Sequence, residues 1–177
     1  GWFDSSEELI TQDELAYHAA SIVSGLYALG GGDDIAFAEE RLGISEEFER
    51  IVYRGVPDIR IIVFHGVPVM AMIRLPTRAS NGKANLHQGA VGAGIDLATG
   101  RTTFAVSRSR PILRHPDTNE SVVGFVIPQF EFALRSALIA TDQTGLGYVG
   151  ADIVIDSKRG PVILELNARP GLAIQLA

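Results

Sequence analysis

The chain has 177 residues, is 46% hydrophobic and carries a net charge of −6, which suits a globular protein with a real core and argues against disorder. Its 13 arginines and two lysines are scattered and the few aromatics do not interleave with them, so no basic stripe points to nucleic acid. There is no cysteine, which excludes disulfides and thiolate zinc sites; no charged-then-apolar leader opens the chain and no apolar run nears the roughly 18 residues of a membrane span, so a cytoplasmic protein is expected.

Thr11-Gln-Asp-Glu14 is a capping-box pattern, and Leu15, Ala19, Ile22, Val23 and Leu26 follow at helical spacing. They predict an amphipathic helix over residues 13–29, stopped at Gly30-Gly31-Gly32. Ile35 to Ala38 is a short apolar run that leads into Glu39-Glu40-Arg41-Leu42 and an acidic stretch through Glu49. Strands at Ile59 to Phe64 and Pro68 to Arg74 pair through a turn at His65-Gly66. The polar loop from Leu75 to Gln88 is too long for a plain connector, which makes it a place to look for function. Two more strands, about residues 89–96 and 102–106, meet across Ala98-Thr99-Gly100. A loop containing Pro and Asp then leads to a second helix, with Pro128 at its start, Phe130, Leu134, Ala137 and Leu138 on its apolar face, and Gly145 near its end. The order predicts an α+β fold, with antiparallel sheet and helices packed on one face.

The last hairpin, Gly150 to Gly171, carries the densest chemistry. Ile153 to Ile155 and Val162 to Leu166 are strand-like, with the turn at Ser157-Lys158-Arg159-Gly160. Glu165 and Asn167 are two apart and leave one face, and Asp152 can sit opposite them. Two carboxylates this close are costly unless a cation neutralises them, and hard oxygen ligands with open positions suit Mg2+ shared with phosphate oxygens. An ordinary surface hairpin is the plain alternative, but it does not explain polar residues breaking into so apolar a strand.

Other patterns carry less. Gly145-x-Gly147-x-x-Gly150 matches the dinucleotide fingerprint by letter, yet it follows a helix and enters a strand, the reverse of what that motif needs. Gly82-Lys83 is no P-loop, because Thr77 stands where its first glycine should be and Ala84 follows the lysine. His18, His65, His87 and His115 have no metal-ligand spacing and read as structural or surface residues. Lys83 and Asn85 can offer a positive charge and an amide donor to a γ-phosphate, against the alternative of a solvated loop lysine. Arg60 and Arg74 lie on adjacent strands and can meet a phosphate or a carboxylate, or merely solubilise.

Asp152, then Gly160-Pro161, then Glu165-x-Asn167-x-x-Pro170-Gly171 resembles the metal-binding end of ATP-grasp ligases, closest to RimK-type α-L-glutamate ligases and their sugar-transfer-associated relatives. Asp58-Ile59-Arg60 before an apolar strand, and Lys83-Ala84-Asn85-Leu86-His87-x-Gly89, resemble two further blocks of that family in the same order. The resemblance implies nucleotide held between two layers, Mg2+ on Asp152, Glu165 and Asn167, and γ-phosphate on Lys83 and Asn85, with Arg60, Arg74 and Ala84 in the ATP site. RimK-type enzymes usually have Arg-x-Asn where this chain has Lys83, which keeps the charge and loses the bidentate fork. Asp58 would contact the ribose or adenine side, and Glu39-Glu40-Arg41-Leu42 looks like the hinge whose backbone reads the adenine edge. Residues 43–57 are an insertion relative to the shorter RimK-type hinge, which leaves Glu46 or Glu47 as the alternative ribose acid. Arg169, before Pro170-Gly171, would hold the carboxylate substrate or its acyl-phosphate.

By the same resemblance, residues 1–42 end the ATP-grasp N-terminal subdomain with a helix and hinge strand, and residues 43–177 form the C-terminal subdomain with the Mg-ATP site. The family's phosphate-binding lysine belongs upstream, and no lysine precedes Lys83, so the chain reads as the carboxy-terminal part of a longer ligase, with a partial fold. The expected activity is ATP-dependent joining of a small-molecule or peptide carboxylate to an amine such as an amino acid, through an acyl-phosphate. A non-catalytic nucleotide-binding or scaffold module is the alternative, favoured by the missing lysine and opposed by the Asp152, Glu165 and Asn167 set. A small-anion-binding protein would leave the hairpin carboxylates without a purpose.

Overall fold

The computed structural model describes residues 2–3, 8–28 and 31–171. They belong to two compact units, Gly1–Arg41 and Leu42–Ala177. In the first, β1 (Trp2–Phe3) pairs antiparallel with β2 (Leu9–Ile10), and α1 (Gln12–Val23) follows. The capping box forms: Thr11 Oγ1 accepts from the Glu14 amide at 3.2 Å, and the Thr11 amide donates to Glu14 Oε2 at 2.8 Å. The helix is shorter than the expected 13–29. It stops at Val23 because Gly25 turns left-handed at φ 75°, where an added side chain would strike the Gly32 carbonyl. Residue 29 and Gly30 lie outside the described residues.

The expected hinge strand does not form. Residues 33–43 carry no regular structure, and Ile35 and Phe37 are each 78% exposed, so apolar composition without a partner edge made no strand here.

The second unit opens with the short α2 (Glu46–Glu49), whose Phe48 is buried. Then come β3 (Asp58–Phe64), β4 (Val67–Leu75), β5 (Val91–Ile95), β6 (Thr102–Ser107), β7 (Arg110–Ile112), α3 (Phe130–Asp142), β8 (Tyr148–Asp156) and β9 (Gly160–Asn167). They form one seven-stranded sheet in the order β7-β6-β5-β4-β3-β8-β9, with every neighbouring pair antiparallel. The α+β fold with antiparallel sheet is therefore as the sequence predicts. β7 was not expected, because Pro111 weakens the strand pattern; at a sheet edge its missing N–H costs nothing. α3 begins two residues after Pro128, with Gln129 left-handed at its N-terminal boundary.

Strand alternation gives the sheet two different faces. Ile59, Ile61, Ile73, Leu75, Val91, Ala151, Ile153 and Ile155 are buried in one core with Ala133 and Ala137 of α3. Each buried Ile or Leu contributes about 1.5–3 kcal/mol, so this layer holds the sheet together. The opposite face carries Arg60, Ile62, Met72, Arg74, Gly150 and Asp152 at the alternate positions. Leu86, from the short 3-10 turn Leu86–Gln88, packs there against Ile62 and Met72.

Candidate functional site

The register makes Arg60 the direct cross-strand partner of Asp152, and Arg74 that of Asp58. Arg60 grips Asp152 with both arms of its fork: Nε donates to Oδ1 at 2.6 Å and Nη2 to Oδ2 at 2.5 Å. Arg74 Nη2 donates to the same Oδ2 at 2.8 Å and also ion-pairs with Asp58. The side chains of Arg60 and Asp152 are only 16% and 4% exposed, so little water competes. Burial alone would push the Asp152 carboxyl up, but the hydrogen bond from Arg60 and the charge and hydrogen bond of Arg74 outweigh it and hold the group below its usual value. The Arg60 guanidinium is raised in turn, chiefly by that hydrogen bond. Asp58 Oδ1 and Arg74 Nε are buried without a partner, an acceptor and a donor left unused in the same cluster.

The second half of the hairpin reaches this face through a bulge. Asp152 pairs with Glu165, whereas Ile153 pairs with Ile163, so Leu164 is an extra residue in β9. Period two alone would put Glu165 on the same side as Ile163, which packs into the core; the extra residue turns Glu165 to the side of Asp152. Asn167 lies opposite Gly150, and its Nδ2 donates to Glu165 Oε1 at 2.9 Å. The chain then folds back. A Cβ added at Gly150 would sit 2.6 Å from the Cβ of Pro170 and 3.5 Å from Ile62 Cδ1, so only glycine lets the buried Pro170 lie there. Arg169 is exposed.

The loop of Lys83 and Asn85 is pinned at its base. Thr77 Oγ1 donates to the Gly89 carbonyl at 2.9 Å, the Thr77 amide donates to Ser80 Oγ at 3.0 Å, and the Arg78 amide donates to Asp117 Oδ2 at 2.7 Å. His115, 1% exposed, donates from Nε2 to the Pro76 carbonyl at 3.0 Å, while its Nδ1 accepts from the Asp117 and Thr118 amides. Burial lowers its pKa, against a smaller upward pull from the Pro76 carbonyl. Tyr53 braces the loop too: its amide donates to the Pro76 carbonyl, and the Arg78 guanidinium lies 5.1 Å over its ring. Beyond this base, Lys83 is exposed, Ala84 is half-buried, and Asn85 Oδ1 caps the 3-10 turn by accepting from the His87 amide at 2.9 Å.

The sequence-predicted residues thus fall into groups. Asp58, Arg60, Arg74, Asp152, Glu165 and Asn167 share one face, and Leu86 folds the Lys83–Asn85 loop over the same face. Asp58 stands among the charges around Asp152, paired with Arg74. Glu46 and Glu47 are exposed on α2. Glu39, Glu40 and Arg41 belong to the first unit, whereas Leu42 begins the second. Just after Leu42, the Gly43 amide donates to Asp156 Oδ2 at 2.7 Å, and the Lys158 and Arg159 amides donate to its Oδ1. Those three donors hold the Asp156 carboxyl below its usual value and tie the chain to the hairpin turn. The sequence reads His115 only as structural or surface, and the structure makes it a buried anchor of this loop; the Leu164 bulge was missed, and the mismatch in parity between Ile163 and Glu165 was its one signal.

Contrary to the expectation from carboxylate crowding, Asp152 needs no metal for its neutralisation, because Arg60 and Arg74 already supply it. A hard divalent cation still fits the donor chemistry, since two carboxylates and an amide share the face beside the unpartnered Asp58 Oδ1. Among the described residues no three Asp, Glu, His or Cys side chains converge as a metal cluster, so phosphate or water oxygens would have to complete the shell.

An antiparallel sheet covered by a helix on one face, with an Asp/Glu/Asn hairpin and paired arginines on the other, defines the class: the partial fold of an ATP-grasp protein. The profile of the family described as Sugar-transfer associated ATP-grasp matches residues 1–177, the whole chain, and the chain belongs to that family. Its function accordingly lies within the ATP-dependent ligase-like or sugar-transfer-associated range, and the family generally binds ATP and Mg2+. No curated protein matches the chain. Among the described residues, no helix is long and apolar enough to cross a membrane.

Proposed function

We propose that the protein is an ATP-dependent carboxylate–amine ligase of glutamate-ligase-like type, acting in the cytoplasm where ATP is supplied. The observation that carries the reading is the Asp152, Glu165 and Asn167 set on one sheet face, in a chain that the ATP-grasp family matches end to end. Asp152, Glu165 and Asn167 would hold Mg2+, with Lys83, Ala84 and Asn85 at the γ-phosphate and Arg60 and Arg74 on phosphate or substrate carboxylate. When bound, the metal neutralises phosphate oxygens that would otherwise repel the nucleophile. The substrate carboxylate oxygen attacks the γ-phosphorus, ADP leaves, and an acyl-phosphate forms. The amine nitrogen then attacks the carbonyl carbon, phosphate leaves, and the nitrogen loses a proton to give the amide. Lys83 compensates the charge that develops during transfer, and Arg169 orients the acyl group; no enzyme nucleophile is required. The Glu39–Leu42 backbone would read adenine and Asp58 the ribose, with residues 1–42 ending one subdomain and 43–177 forming the other.

The test is ADP release from ATP and Mg2+ across a panel of amino acids and small carboxylates. Lys83→Ala is expected to cut turnover by about 10² while barely changing nucleotide affinity, and Glu165→Ala to abolish the Mg2+-dependent part of ATP binding in titration calorimetry. A Glu165→Ala variant that keeps the full Mg2+ dependence of wild type would sink the metal assignment. A second reading has its own support: with Asp152 already held by two arginines, a non-catalytic nucleotide-binding module would bind ATP and never release ADP.

A further inference from the structure

We propose that Arg60 is a latch on the metal site: in the nucleotide-free protein it holds the Asp152 carboxylate, and the cation enters only together with phosphates that draw the arginine away. The inference rests on the reading of Asp152, Glu165 and Asn167 as metal ligands.

Both Asp152 oxygens are engaged. Oδ1 accepts from Arg60 Nε at 2.6 Å, and Oδ2 accepts from Arg60 Nη2 at 2.5 Å and Arg74 Nη2 at 2.8 Å. A bare divalent cation arriving there meets a compensated carboxylate and two guanidinium charges at close range, in a setting too buried for water to screen them fully. The pairs are nonetheless incomplete, because Arg74 Nε and Asp58 Oδ1 are buried without partners. That surplus donor and acceptor fit a second arrangement, in which phosphate oxygens take the guanidinium donors and a cation takes the carboxylates. Phosphate offers an arginine fork the same bidentate geometry that Asp152 now offers, so the exchange conserves charge pairing and hydrogen bonds. Glu165, exposed on the neighbouring strand, adds its charge to the pull on Arg60, but among the described residues no arginine fork hydrogen-bonds it: its hydrogen bond comes from Asn167. The hydrogen-bonded latch is on Asp152, and its consequence is that metal and nucleotide bind as a unit, never metal first.

Mn2+ binding, followed by electron paramagnetic resonance, tests this in the whole chain with and without the non-hydrolysable analogue AMP-PNP. Without nucleotide, wild type should bind Mn2+ weakly, Arg60→Gln should bind it roughly tenfold tighter or more, since one repelling charge is gone, and Arg60→Lys should stay near wild type. Equal nucleotide-free affinity in wild type and Arg60→Gln overturns the latch. If no protein holds Mn2+ even with AMP-PNP, beyond what the analogue binds in solution, the metal reading itself falls and the latch with it. Should Arg60→Gln fail to fold, the Arg60 Nε–H resonance of wild type, assigned by its loss in Arg60→Lys, gives the answer. It should shift with Mg2+ plus AMP-PNP and stay put with Mg2+ alone; a shift with Mg2+ alone overturns the proposal.

Discussion

A neutral imidazole fastens the loop of Lys83 and Asn85. His115 donates through Nε2 and accepts two backbone amides at Nδ1, so a proton on Nδ1 would set three donors against one another in a buried site. Its folded pKa is lowered, by burial first, so the unfolded chain binds a proton that the folded chain refuses. The stabilisation from His115 is therefore complete above about pH 6.5 and is lost as pH falls below that towards the folded value. Urea midpoints between pH 7.5 and 5 should fall with pH in wild type and fall less in His115→Ala, which should also lose about 2 kcal/mol at neutral pH by taking away the acceptor of the Asp117 and Thr118 amides. Parallel pH profiles would show that His115 is not the titrating group. At Asp152 the balance is different, since removing one member of a buried pair leaves the other charged and unpaired. Asp152→Asn should cost about 3–5 kcal/mol in chemical denaturation; a loss within the range of an exposed pair, about 0–1 kcal/mol, would mean that Arg60 and Arg74 readily find water instead.

At the scale of the element, the β8–β9 hairpin depends on two local irregularities. The Leu164 bulge turns Glu165 out of the core, and Gly150 leaves room for Pro170. Gly150→Ala would press a methyl group into the proline ring, with strain of about 1–3 kcal/mol or displacement of residues 168–171. Thermal denaturation and amide exchange at Asn167 to Gly171 measure both outcomes. Combining it with Pro170→Gly should recover most of the loss, because the clash is with the Pro170 side chain. If the double variant is no better than Gly150→Ala, the contact is not what makes glycine necessary. Neither irregularity leaves a plain mark in composition. A bulge is one extra residue that satisfies the burial of Ile163 and the exposure of Glu165 together, and it becomes visible only when both strands are aligned.

For the whole molecule, the division between Gly1–Arg41 and Leu42–Ala177 falls at the end of a stretch without regular structure. Limited trypsin digestion should cut first after Arg41 and leave a resistant fragment beginning at Leu42, because exposed backbone outside ladders is where proteases act. Early cleavage after Arg60 or Arg74, which lie within paired strands, would contradict the sheet. The chain's own sequence sufficed for part of this: α3, the strands of the large sheet other than β7, the α+β class and the turns at His65-Gly66 and Ser157 to Gly160 follow from local periodicity and turn chemistry. The length of α1, the loss of the hinge strand and the added edge strand β7 were decided by tertiary context, since a left-handed Gly25, an absent partner edge and a tolerated Pro111 are not properties of a window of apolar residues. Above all, only the folded structure decided what neutralises Asp152. Arg60 and Arg74 are 92 and 78 positions away in the chain, and nothing short of strand register brings their forks to one carboxylate.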